Sequence, residues 1–261
     1  MKKAIVMGAT SGIGMEVAKL LATQGWQVGI AGRRVERLKE VMRQSSQGNG
    51  NDGNTSSGSI VCYKQIDITH PDAPSQLLKL IEELGGMDLY FHSSGIGWQN
   101  DQLDIEKEMK TVSTNGLGFV RMIDTAFNWF VQQNGKAQQN EKHRIACITS
   151  IAGTKGLGAA PAYSATKRFQ SHYLECLSQQ AHTRHLPIAI TDIRPGFVKT
   201  DLIAGSTYPL QLDAKMVANH IVKAIERGKG VKIIDWRYAI LVFFFWRLIP
   251  RWLWTRLKIT K

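Results

Sequence analysis

The chain has 261 residues, 43% of them hydrophobic, enough for one large domain with a substantial core. Its formal net charge of +12 and pI near 9.7 point to an acidic partner: a phosphorylated ligand, anionic lipid or nucleic acid. Three widely spaced cysteines, Cys62, Cys147 and Cys176, form no CxxC pair and no Cys/His cluster, which argues against a disulfide framework or a zinc site and predicts buried free thiols in a reducing cytosol.

The elements alternate along the chain. AIVM (4–7) reads as a buried strand, too short an apolar run for an export signal. Ile13, Val17, Leu20 and Leu21 follow at helical spacing, with Gly25 as the stop. WQVGIAG (26–32) is a second strand, and VERLKEVMRQ opens the next helix. SIVCYKQID (59–67) reads as strand, PDAPSQLLKLIEEL (71–84) as helix, and DLYFHSS (88–94) as strand. Two helical stretches cover roughly 102–131; HRIACITS (143–150) is a fifth strand, ending at Ser150. A long helix starting PAYSATK, a strand PIAITDI (187–193), a helix over 213–227 and a strand GVKIID (230–235) complete the pattern.

Such alternation predicts an α/β fold: a Rossmann-type, doubly wound parallel sheet of about seven strands in a single domain over 1–235, binding its ligand at the carboxyl edge. Two polar inserts, 43–59 and 132–143, read as surface loops, the first of them mobile, and there is no internal repeat.

GATSGIG, directly after the first strand, places glycines at Gly8, Gly12 and Gly14, where a backbone can turn sharply and approach a pyrophosphate. Thr10, Ser11 and Ile13 belong to the same turn, and the helix beyond offers free N–H groups to phosphates. After the second strand, where an acid would select an unphosphorylated ribose, stand Gly32, Arg33 and Arg34. A guanidinium there can clasp a 2′-phosphate, which predicts NADP(H), with Arg33 ahead of Arg34.

AYSATK (162–167) sets Tyr163 and Lys167 one helical turn apart. A free phenol is a sluggish acid near neutrality, and an adjacent ammonium can lower its pKa. Ser150 can donate to the same substrate oxygen. Alone, the Tyr/Lys pair reads more readily as a surface pair on a helix; the glycine turn, Asn115 and Ser150 decide for chemistry.

In this order and spacing, GATSGIG (8–14), Asp67-Ile68, SSG (93–95), Asn115, Ser150, Tyr163 with Lys167, and PGFVKT (195–200) resemble the short-chain dehydrogenase/reductase family from about residue 3 to 202. The resemblance implies that Asp67 binds the adenine amino group and Ile68 flanks the ring. It implies that Ser93, Ser94 and Gly95 touch the nicotinamide-side ribose, and that Pro195, Val198 and Thr200 serve the carboxamide end. Asn115 is implied to bend its helix and hold a water leading to the lysine, with Ser150, Tyr163 and Lys167 catalytic and no metal. One departure is His92-Ser93-Ser94-Gly95 where the family has Asn-Asn-Ala-Gly; His92 sits in a strand and reads as a packed histidine.

The tail from Trp236 to Lys261 carries four of the seven tryptophans and six Lys/Arg but no acid. Its longest apolar run, Tyr238–Trp246, is too short to span a bilayer. It fits a membrane surface, a subunit contact in a homo-oligomer, or a flap over an apolar pocket. DLIAGSTYPLQLDAK, after Thr200, reads as a substrate lid.

The sequence reading is therefore a cytoplasmic NADPH-dependent oxidoreductase, peripheral on the inner face of a membrane where the tail is a surface anchor, interconverting a ketone and a secondary alcohol. The expected substrate is hydrophobic, such as a 3-ketosphinganine-like keto-lipid or a steroid. The alternative is a non-catalytic NADP-binding sensor or scaffold. No nucleic-acid motif accompanies the basic charge.

Overall fold

Seven strands pair in parallel in the order β3-β2-β1-β4-β5-β6-β7. The structure is a computed structural model describing residues 1–47, 58–134, 142–201 and 210–257. The strands are β1 (Lys3–Met7), β2 (Gln27–Gly32), β3 (Ser59–Gln65), β4 (Leu89–His92), β5 (His143–Ile148), β6 (Ile188–Arg194) and β7 (Val231–Ile233). The helices are α1 (Gly12–Thr23), α2 (Val35–Gln47), α3 (Ala73–Leu84), α4 (Ile105–Val112), α5 (Phe119–Gln133), α6 (Pro161–Thr183) and α7 (Ala214–Glu226). A π-helical turn, Ser113–Gly118, joins α4 to α5.

Both faces of the sheet are covered, which is why its central strands are apolar without interruption. On β1, Ala4 and Val6 face a core built with Val17 and Leu21 of α1 and Val217 and Ile221 of α7. Ile5 and Met7 face the opposite core, with Leu77 of α3, Ile123 of α5 and Leu174 of α6. Successive side chains pointing to opposite faces make this division. The strand order reverses at β1/β4, so the loops after these two strands diverge and leave a crevice at the carboxyl edge.

Some boundaries differ from the sequence expectation. The first polar insert is helical up to Gln47. There Gln44 bonds Glu40 and Lys19, and Ser46 donates to the Met42 carbonyl, so local partners extend the helix. Residues 48–57 of that insert, most of the second, and residues 202–209 of the expected lid lie outside the described residues. β5 stops at Ile148, and Ser150 instead starts a short 3-10 turn, accepting from the Ala152 N–H. Cys62 and Cys147 are buried but Cys176 is exposed, because it falls on the outer face of α6.

The tail forms α8 (Trp236–Ile240), a π-helical turn (Leu241–Trp246) and α9 (Arg251–Trp254). Tyr238 and Val242 belong to the core on the α1/α7 side. Among the described residues no helix is long and apolar enough to cross a membrane.

Candidate active site

Gly8 follows the last residue of β1 with φ +89°, a conformation suited to glycine, and a Cβ there would stand 2.7 Å from the Ser94 nitrogen. A Cβ on Gly14 would stand 2.3 Å from the Gly8 carbonyl, so α1 begins flat against the turn. No side chain caps the start of α1. Its first N–H groups are therefore open to an anion, as a pyrophosphate requires. Thr200 reaches the same place, with its methyl 2.9 Å from where a Gly12 Cβ would be. Gly8, Gly12, Gly14, Ser94 and Thr200 thus form a cradle that could hold a pyrophosphate.

The two arginines divide. Arg34 donates to Thr10 Oγ1 at 2.8 Å and Ser11 Oγ at 2.7 Å, and pairs with Asp201 at 3.4 Å. Arg33 turns to the other side, lining a shallow pocket with Asp67, His70 and Gln76. The Asp67 carboxyl lies below the ordinary range: partial burial opposes this, but the Thr69 N–H and hydroxyl, then Arg33, outweigh it. Arg34, ranked second from sequence, is therefore the arginine on the glycine turn, because the chain after Gly32 bends its side chain back across Thr10. Ile68 is buried beneath Asp67 and packs on Gly118.

The catalytic candidates come from three elements. Glu108 on α4 accepts from the Ala162 N–H at 2.9 Å, capping α6 just before Tyr163. Ser164 ties α6 to the loop after β5, donating to the Ala152 and Lys155 carbonyls at 2.8 and 2.9 Å. Ser150 is thereby held near enough to Tyr163 to act on its pKa. Gly97 completes the fit: a Cβ there would lie 2.2 Å from the Tyr163 ring.

Lys167 is buried, with its Nζ 5.8 Å from the Tyr163 ring centre and 2.9 Å from the Ile148 carbonyl. Burial lowers its pKa to about 8, against the opposing influence of Cys147 and Asp192. Burial also raises the Tyr163 pKa above that of a free phenol, and the Ser150 hydrogen bond only partly opposes it. The lysine's own hydrogen bonds go to the Ile148 carbonyl and to Gln170.

Asn115 lies in the π-helical turn and brackets the strand-four loop, accepting from the Ile96 N–H at 2.9 Å and donating to the Ile96 carbonyl at 2.7 Å. Its own carbonyl accepts from Gln170 Nε2 at 2.9 Å, while Gln170 Oε1 accepts from Lys167 Nζ at 3.0 Å. The Gln170 side chain therefore joins the Asn115 main chain to Lys167. Gly95 sits over this junction, its Cβ position 3.3 Å from Asn115 Oδ1 and 3.4 Å from Lys167 Nζ.

His92 is fully buried, bonded to the Tyr90 hydroxyl at 3.0 Å and edge-on to Phe119. Burial, then the Lys167 charge, lowers its pKa to about 3, so it stays neutral and packs rather than titrating. Pro195 accepts from the Ile151 N–H, and Val198 is buried beside Leu212, which sets the loop after β6 against the loop after β5. Gln170, Gly97 and Glu108 were missed from sequence; only the position of Gln170, three residues after Lys167 on one helix face, offered a signal.

The model of the short chain dehydrogenase family matches residues 2–208, and the chain belongs to that family. It is 28% identical over 244 residues to an uncharacterized oxidoreductase of Myxococcus xanthus, covering 92% of this chain and 89% of that protein. An uncharacterized oxidoreductase of Mycobacterium tuberculosis is 29% identical over 257 residues, covering 96% and 95%. Among solved structures, a short-chain dehydrogenase from Sphingobium yanoikuyae in complex with NADPH shares the fold at TM-score 0.78 and 20% identity, covering 92% of this chain and 90% of its own. The protein is an oxidoreductase of this family.

Proposed function

We propose that the protein is an NADP(H)-dependent ketone reductase, or the reverse alcohol dehydrogenase, acting on a hydrophobic substrate with Tyr163 as general acid/base. The observation that carries this reading is that Tyr163 comes together with buried Ser150 and Lys167, with Lys167 Nζ 5.8 Å from the Tyr163 ring centre and 3.4 Å from the Gly95 Cβ position. NADPH held in this cleft would be the source of the hydride for the carbonyl carbon. Tyr163 gives its proton to the carbonyl oxygen as that oxygen becomes an alkoxide, and Ser150 donates a hydrogen bond to it. The resulting phenolate is stabilised by the Lys167 ammonium, the charged form below a pKa of about 8. Arg34 and Arg33 would hold the 2′-phosphate, and Asp67 the adenine. The NADPH in the Sphingobium structure supports this choice of cofactor.

The hydrophobic substrate is supported by the surroundings of the cleft. Phe197 and Trp98, in the loops after β6 and β4, are both exposed. The tail packs on the loop after Ser150 through Trp254, whose Nε1 donates to the Gly156 carbonyl at 2.7 Å. Keto-lipids with long chains, or steroids, match such a rim. NADPH depletion by the full chain, screened over keto-lipids, steroids and small polar carbonyls, tests the reading. Turnover of hydrophobic ketones is expected; turnover of sugars or small polar carbonyls alone overturns the substrate class.

A further inference from the structure

We propose that the tail is a docking surface for an anionic lipid bilayer, lying in the plane of the interface rather than crossing it. Its inner side is anchored: Tyr238 donates to the Leu210 carbonyl, Trp254 bonds Gly156, and Trp246 packs edge-on against Trp254 at 5.5 Å. Lys155 reaches over the Trp254 ring and donates to the Ile249 carbonyl. These contacts fix which side of the tail faces out.

That outer side is apolar and cationic together. Trp236, Phe243, Phe244, Phe245, Leu248 and Trp252 are exposed, Phe244 by 65% and Leu248 by 73%. Arg247, Arg251 and Arg256 stand among them, and among the described residues none of the three makes an ion pair. Aromatic rings with guanidinium groups suit the headgroup zone, where rings enter the acyl boundary and charges meet lipid phosphates.

A second copy of the chain fits this surface poorly. A two-fold contact sets the same patch against itself. It would bring the arginines of both copies together, and from Trp236 to Lys261 there is no acidic side chain to neutralise them. Anionic lipid supplies the missing charge. The surface does not depend on the reaction proposed above, so its test needs no substrate.

The test is cosedimentation of the full chain with phosphatidylcholine vesicles, with and without phosphatidylglycerol, at low and high salt. Phosphatidylglycerol is expected to strengthen partitioning on the order of a hundredfold through the three guanidinium groups. Salt should erase most of that gain. A Phe244→Ser, Leu248→Ser, Trp252→Ser variant should lose at least about tenfold in binding, and Arg247→Glu with Arg251→Glu should abolish the preference for phosphatidylglycerol, both with an intact thermal unfolding transition. Equal partitioning to both vesicles, or no binding, overturns the proposal. So does light scattering that shows a dimer which the serine variant dissolves while vesicle binding is unchanged.

Discussion

The Gln170 amide bridges Lys167 to the main chain of Asn115, accepting from the ammonium at 3.0 Å and donating to the carbonyl at 2.9 Å. All three residues are buried, so the bridge acts on the lysine without competition from bulk water. Gln170→Glu would place a carboxylate against Lys167 and favour its charged form, moving its pKa up from about 8. Gln170→Leu removes the acceptor and should move it down. The alkaline limb of the kcat profile should therefore rise by about one pH unit in the first variant and fall by a similar amount in the second. Unmoved limbs in both would mean that Gln170 only fills space.

Gly97 tests how tightly the phenol is held. An alanine Cβ at 2.2 Å from the Tyr163 ring forces the ring or the loop to shift. Gly97→Ala should cost about 1–3 kcal/mol of stability. Turnover should fall about a hundredfold, because a displaced acid no longer meets the carbonyl oxygen. Thermal unfolding and kcat, measured together, check both.

Lys167 couples the site to stability. Its folded pKa of about 8 lies below the 10.5 of an unperturbed lysine. Between these values the unfolded chain binds more protons, so the lysine's burial costs stability below about pH 8, a cost relieved as pH rises toward 10.5. Relative to Lys167→Met, the natural protein should gain about 2–3 kcal/mol over that window. Urea unfolding of both proteins across the range measures the difference; a constant difference would mean that the lysine titrates normally.

Arg34 carries the test of cofactor choice. Its guanidinium already bonds the Thr10 and Ser11 hydroxyls of the glycine turn. Arg34→Ala should raise the KM for NADPH by about tenfold or more while leaving that for NADH little changed, since only the former carries the 2′-phosphate. Steady-state kinetics with both cofactors, alongside Arg33→Ala, shows which arginine matters more.

Much of this was legible in the chain because it rests on local spacing. The seven-stranded alternation, the glycine turn and the Tyr163/Lys167 pair are set by periods of two and 3.6 residues and by glycine conformations. What stayed hidden depends on contacts between distant segments. Gln170 meets Asn115 across 55 residues. Glu108 reaches the α6 N-terminus from another helix. That Arg34 turns onto Thr10 and Ser11 while Arg33 turns toward Asp67 depends on side-chain direction after β2, not on order in the sequence. In the tail, Tyr238, Val242 and Trp254 turn inward while their neighbours face out. Composition alone could not divide the two faces.

The account rests on Tyr163 giving its proton to the substrate oxygen. The most direct measurement is the single-turnover rate of NADPH oxidation by Tyr163→Phe with a ketone the natural enzyme reduces, alongside the NADPH Kd from fluorescence. The account predicts a rate lower by about 10²–10⁴, with Kd changed by no more than about threefold. A Tyr163→Phe enzyme that binds NADPH normally and turns over at the natural rate would contradict it.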